Sequence, residues 1–167
     1  MRTVATIGVS GFTVERFLEV LGEADARLLL DVRQRRGVRG REYAWANARR
    51  LQAALAEAGI EYRHHLELAP TTELRQLQYR EDDRRGVGKR SRVELAPEYR
   101  DRYVREILDR VDLGPIVAEM PKDHASALFC VERDPEACHR SLIAARLADE
   151  YGVPVVHLRP DQGTNTP

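Results

Sequence analysis

Both cysteines of the chain, Cys130 and Cys138, fall in one short run from Leu128 to Arg140 that also carries Glu132, His139 and Arg140. These residue types can do chemistry together. A cysteine supplies a nucleophile, a histidine or carboxylate moves a proton, and an arginine holds an anion. The run reads as a buried strand, Ala125 to Val131, leading into a helix. Asp134 is suited to the N-cap and Pro135 to the first helical position, and apolar spacing continues through Leu142, Ile143, Leu147 and Tyr151. On that reading Cys138 sits near the end of the first helical turn and Cys130 at the carboxyl end of the strand. Backbone donors and the positive end of a helix dipole favour a thiolate or a bound anion there.

Three chemistries fit these residues. The first is a nucleophilic cysteine, Cys138 or Cys130, activated by His139 and Arg140; against it, Asp134 and Glu136 share the turn, and Cys138 is spaced to face the core with Leu142. The second is a metal site drawing on Cys130, Cys138, His139, His64 and His65. The Cys-x7-Cys-His spacing matches no established zinc motif, and neighbouring residues on a helix point in different directions, so no metal is expected. The third is binding or acid–base work. Glu132 and Asp31, just beyond strand ends, would act as general base or hold a hydroxyl, while Arg33 and Arg140 hold a phosphate. Structural pairing of Asp31 with Arg140, or of Glu132 with Arg33, explains the same residues. His64 and His157 can likewise be satisfied core histidines.

The elements that must position these groups alternate along the chain. Strands are expected at Thr3 to Val9, Arg27 to Val32, Ile60 to His65, Ala125 to Val131 and Val153 to Leu158. Helices are expected at Thr13 to Leu21, Tyr43 to Ala58, Thr71 to about Arg80, Pro97 to Asp112 and Pro135 to Tyr151. Such alternation predicts a three-layer α/β sandwich, with a mainly parallel sheet of about five strands flanked by helices. Ligands of such sheets bind beyond the strand carboxyl ends. Ser10, Asp31, Arg33, His64, Cys130 and Glu132 all fall there, which is the strongest argument from the residues for a single site. Ser10 between Gly8 and Gly11 opens a natural phosphate turn, but the glycine spacing falls short of a dinucleotide fingerprint and no cofactor is expected. Residues 1–159 read as one domain, and 160–167 as a disordered tail. Glu81 to Ala96 reads as a polar, mobile excursion.

With 43% hydrophobic and 32% charged residues, the chain is neither disordered nor built to span a membrane. The absence of an apolar leader and two cysteines with no disulfide framework point to a cytoplasmic protein with reduced thiols. Of 27 basic residues only Lys89 and Lys122 are lysines, and the formal net charge is zero. No overall field therefore draws it to nucleic acid. Codon bias toward arginine explains much of this, as do local ion pairs such as Glu98/Arg102, Asp101/Arg105 and Glu106/Arg110. The stretch Arg33, Arg35, Arg36, Arg39 and Arg41 has no acid and two glycines, and is suited to wrap a phosphate or to stay an exposed loop.

Several segments together resemble the domain-of-unknown-function 488 family of small bacterial and archaeal proteins. They are Thr6 to Ser10, Leu30 to Arg33, Gly59 to His64, Leu68 to Leu74, and Cys130-Val131-Glu132 with Cys138-His139-Arg140. The resemblance implies an α/β fold from about Thr3 to Leu158 and a site at the last segment, but no reaction. Val9 departs from it, standing where many members have a histidine. A more distant similarity links Leu30 to Arg33 and Cys130 with Arg140-Ser141 to rhodanese-like sulfurtransferases, as architectural analogy only. The expectation from the whole chain is an anion-favouring site with Cys130, Glu132, Cys138 and Asp31 as reactive groups. Ser10, Arg33, His64, His139 and Arg140 are the binding groups. The function expected is an enzyme acting on a phosphorylated small molecule, nucleotide or nucleic acid end. The alternatives are a nucleic-acid or protein-binding module built on the Arg33–Arg41 loop, and cysteine-dependent or metal-dependent chemistry. The partner expected is a phosphate-containing ligand or nucleic acid, with no membrane; the sequence sets no oligomeric state.

Overall fold

The computed structural model describes residues 1–88 and 91–161. Five strands, β1 (Thr3–Gly8), β2 (Ala26–Asp31), β3 (Glu61–His64), β4 (Ala125–Cys130) and β5 (Val155–His157), form one sheet in the order β3-β2-β4-β1-β5. Every pairing is parallel. β4 is buried along its whole length, whereas the edge strands β3 and β5 are only partly covered. That is why Leu128, Phe129 and their neighbours form a continuous apolar run rather than an alternating one.

Helices cover both faces. α1 (Val14–Glu23) and α2 (Ala48–Glu57) pack Phe17, Leu21, Leu51 and Leu55 onto Ala5, Ile7, Leu29 and Phe129. The opposite face is covered by α3 (Thr72–Arg84), α4 (Pro97–Glu106), α5 (Gly114–Glu119) and α6 (Arg140–Tyr151), with Leu74, Tyr103, Ile116, Ile143 and Leu147 against Val4, Leu28, Leu30 and Leu128. This is a three-layer α/β sandwich. The chain leaves β1 and β2 toward one face but leaves β4 toward the other, to α6. The carboxyl end of β4 therefore lies between two strands whose connections go the opposite way, the position where parallel sheets open a crevice.

Several boundaries differ from the sequence expectation for identifiable reasons. The helix expected over Tyr43 to Ala58 is two pieces, a 3-10 stretch Arg41–Ala46 and α2, separated by extended Asn47 at ψ 141°. The Asn47 side chain accepts from Val38 N at 2.7 Å, tying down the arginine loop instead of capping α2. The helix from Pro97 stops at Glu106 because Ile107 leaves helical geometry at φ −121°. Arg102 pairs forward with Glu106 and across to Glu73, where Glu98 was expected. The described end of the Glu81 to Ala96 stretch is no mobile excursion. Arg92, Leu95 and Ala96 are buried, and Ala96 N donates to Gln78 Oε1 at 2.9 Å. Of the tail, Pro160 and Asp161 form a turn in which Asp161 meets Arg133; the rest lies outside the described residues.

Candidate active site

The largest departure from the sequence reading falls at the site itself. The helix expected from Pro135 begins only at Arg140; Pro135–Ala137 is a single 3-10 turn and Cys138 is extended, at φ −138° and ψ 146°. Cys138 is thus not in a helical turn. On a helix, Cys138 and His139 would diverge by about 100°. The extended residue removes that divergence and turns both side chains to the end of β4. There Cys130 Sγ and Cys138 Sγ lie 3.8 and 3.7 Å from the same atom, His139 Nδ1. Both thiols are free and buried.

The imidazole is held from behind. His139 Nε2 is 2.8 Å from the Val32 carbonyl, which can only accept, so Nε2 carries a hydrogen and Nδ1 is left to exchange a proton with the sulfurs. Tyr103 packs on the ring at 5.4 Å between centroids, and its hydroxyl donates to Leu68 O at 2.6 Å. Burial pushes the Tyr99 and Tyr103 phenols well up, so this wall of the site is uncharged.

The two thiols sit in unlike surroundings. Burial pushes the Cys130 thiol well up, aided by the adjacent Cys138 sulfur and by Glu132. Its one S–H can be offered either to Glu132 Oε2, 3.5 Å away, or to the Cys138 sulfur. Burial alone would raise Cys138 too, but the hydrogen bond from Cys130 and the positive charges of His139 and Arg140 bring it well below a free thiol. Burial disfavours a charged His139, yet the Cys138 thiolate outweighs it and the imidazole is raised. The two thiols are thus driven in opposite directions, Cys130 up and Cys138 down, with the His139 imidazole raised between them.

Glu132 is anchored by a residue that sequence reasoning missed. Arg92, 7% exposed, donates to Glu132 Oε1 at 2.7 Å, to Asp82 Oδ2 at 2.6 Å and to Ala137 O at 3.1 Å. Gln78 completes the network by donating to Asp82 Oδ1 at 2.9 Å. Burial and the Cys138 sulfur raise the Glu132 carboxyl against the opposing pull of Arg92. The available signal was the pair Gln78 and Asp82, four apart on one face of α3, together with apolar Leu95-Ala96 inside a polar stretch.

The remaining expected site residues divide into two groups. Ser10, Arg33, Cys130, Glu132, Cys138 and His139 line one cleft of about 780 Å³; Asp31, His64 and Arg140 are not among its lining residues. Arg33 and Arg140 were expected to present guanidinium groups at the mouth. Instead Arg33 Nε and Nη2 grip Asp31 Oδ1 and Oδ2, each at 2.9 Å, while Nη1 donates to Ala46 O at 3.0 Å. Tyr62 donates its hydroxyl to Asp31 Oδ2 at 2.5 Å. Arg140, fully buried, donates to the Glu132 and Arg133 carbonyls at 2.7 and 3.1 Å and so shapes the loop after β4. His64 donates from Nε2 to Arg33 O at 2.8 Å, and His157 meets Thr6 Oγ1 at 2.7 Å. Arg35, Arg39 and Arg75 also line the cleft, Arg35 and Arg39 at its exposed side. Ser10 Oγ is buried there with no hydrogen-bond partner among the described residues.

The same cluster has the donor types of a metal site. Cys130, Cys138 and His139 offer ligand atoms within 4.8 Å of one another, and a carbonyl behind the histidine is the usual outer support. No described helix is long and apolar enough to cross a membrane.

Fold and site together define a three-layer α/β protein with a buried Cys-Cys-His cluster at the carboxyl end of its central strand. The chain belongs to the family described as domain of unknown function DUF488, whose model matches residues 13–147. The matched span holds the whole cluster and its Arg92 anchor, while Thr6 to Ser10 precedes it. No curated protein and no solved structure gave a significant match to the chain.

Proposed function

We propose that the protein is a thiol-dependent enzyme acting on an anionic, phosphate-bearing substrate, with Cys138 as the nucleophile. One observation carries the reading: Cys138 Sγ lies 3.7 Å from a His139 Nδ1 whose partner nitrogen is committed to a backbone carbonyl. A base fixed in one tautomer beside a thiol is the arrangement that keeps a thiolate at neutral pH. His139 would return its proton to the leaving group. Arg35, Arg39 and Arg75, along the same cleft, supply positive charge for the substrate anion. Iodoacetamide labelling near pH 6.5 with peptide mapping tests this. Cys138 should be modified faster than in the unfolded chain, and inorganic phosphate should slow the reaction. If neither thiol outpaces the unfolded control, both cysteines are structural and the reading fails.

The close approach of Cys130, Cys138 and His139 supports a second reading, zinc held by these three with a fourth position open to the cleft. The Cys130 to Glu132 contact favours the first. It is attractive while Cys130 keeps its proton, and a coordinated thiolate would face a carboxylate oxygen at 3.5 Å. Metal analysis of purified protein, followed by zinc titration, separates the two.

A further inference from the structure

The nucleophile reading uses one sulfur and leaves Cys130 without a task, although it lines the same cleft. We propose that Cys130 is a resolving thiol, so that the substrate class is a disulfide carrying an anionic group and turnover passes through a Cys130–Cys138 disulfide. This rests on Cys138 being the nucleophile. The two sulfurs share one imidazole nitrogen at 3.8 and 3.7 Å, and all three atoms lie within 4.8 Å of one another. A disulfide bond is about 2.05 Å long, so closure requires the sulfurs to approach by less than about 3 Å. Cys130 ends the most buried strand of the sheet and stays put. Cys138 occupies the extended residue between a 3-10 turn and α6, outside any repeating hydrogen-bond ladder, and is the less constrained side.

The chemistry balances with the groups present. The Cys138 thiolate attacks one sulfur of the substrate R–S–S–R′. A Cys138–S–R bond forms, the S–S bond breaks, and R′S⁻ leaves with the proton from His139 Nδ1. Cys130 then gives its proton to the Glu132 carboxylate it already faces, and its thiolate attacks Cys138 Sγ. The Cys130–Cys138 bond forms and RS⁻ departs, taking that proton from Glu132. The substrate gains two electrons and the dithiol loses two. A low-molecular-weight thiol restores the dithiol by the reverse exchange. The unlike settings of the two sulfurs match this order: both lie beside the imidazole, and the one that also faces the Glu132 carboxylate attacks second.

The test uses the full chain, oxidised glutathione as an anionic disulfide probe, and intact-mass spectrometry without reductant. Wild type should end two hydrogens lighter with no adduct, releasing two glutathione thiols per chain. Cys130→Ser, and Cys130→Ala as a second variant against misfolding, should stop with one glutathione on Cys138. Cys138→Ser should lose the fast reaction. If wild type also stops at a Cys138 adduct, the resolving role is wrong while the nucleophile reading stands. If neither wild type nor the Cys130 variants react faster than unfolded chain, both fail. A fast adduct on Cys130 in Cys138→Ser would overturn the assignment of roles.

Discussion

At the residue scale, what separates this site from an ordinary buried cysteine pair is that its imidazole, its carboxylate and the loop after β4 are each held by a named partner. His139 is fixed through Val32 O, Glu132 through Arg92, and the loop carbonyls of Glu132 and Arg133 through Arg140. The Asp31–Arg33 pair next to the cleft is of the same kind, with both side chains at most 1% exposed. Removing one partner of a buried ion pair strands the other charge, which costs about 3–5 kcal/mol. Arg33→Ala should therefore lower unfolding free energy by that amount, as read by denaturant melts, and phosphate should not restore it. Tyr62→Phe, which removes only one of the bonds to Asp31, should cost about 1.5–3 kcal/mol. A near-neutral Arg33→Ala would mean that the guanidinium does not hold Asp31 in solution.

At the scale of elements, the site depends on close backbone approach as much as on side chains. β1 ends at Gly8, directly beside the loop that follows β4. A Cβ built on Gly8 would overlap the Glu132 carbonyl and come within 3.2 Å of Arg140 Nη1. Gly8→Ala should displace that loop and destabilise the fold by roughly 3 kcal/mol or more. Gly22→Ala is the control. That glycine lies within α1 with open space around it, so alanine should stabilise by about 0.4–1 kcal/mol. The five strands and their parallel pairing were legible because apolar runs and alternating helices follow from burial on both sheet faces. Thr13 and Thr71 were legible as helix starts for an equally local reason, each accepting from the backbone N–H three residues on. The break at Cys138 was not legible. Pro135 and the apolar spacing up to Tyr151 satisfy a helix, and only packing against Val32 and Tyr103 decides that His139 turns inward. Arg92 was hidden for a related reason: its partners Asp82 and Glu132 are distant in sequence, and composition shows only a polar stretch.

For the whole molecule, a formal net charge of zero means that an anion is drawn to the cleft by local arginines and not by a long-range field. Part of the arginine excess is absorbed in ion pairs, exposed ones such as Arg146 with Asp109 and buried ones such as Arg92 with Asp82. Arg75 donates to Gln34 Oε1 at 2.8 Å and to the Tyr79 hydroxyl at 3.0 Å, positioned on α3 to face the loop after β2. By mass action, phosphate that binds only the folded state should raise the melting temperature with concentration. Arg75→Ala should shrink that shift, and added salt should shrink it in both proteins. A shift unchanged in the variant would place the anion elsewhere. The sheet topology explains why the cleft opens where it does: β4 alone among the three central strands sends its following helix to the other face.

A Cys138 thiolate maintained by His139 can be read by ultraviolet titration of the native protein. A lowered pKa means that the charged form persists to more acidic pH, so wild type should show a thiolate step well below the value of about 8.5 for a free thiol. The step should remain in Cys130→Ser, vanish in Cys138→Ser and move upward in His139→Ala. A wild-type protein whose first thiolate appears only at or above the free-thiol value would mean that His139 does not keep Cys138 ionised.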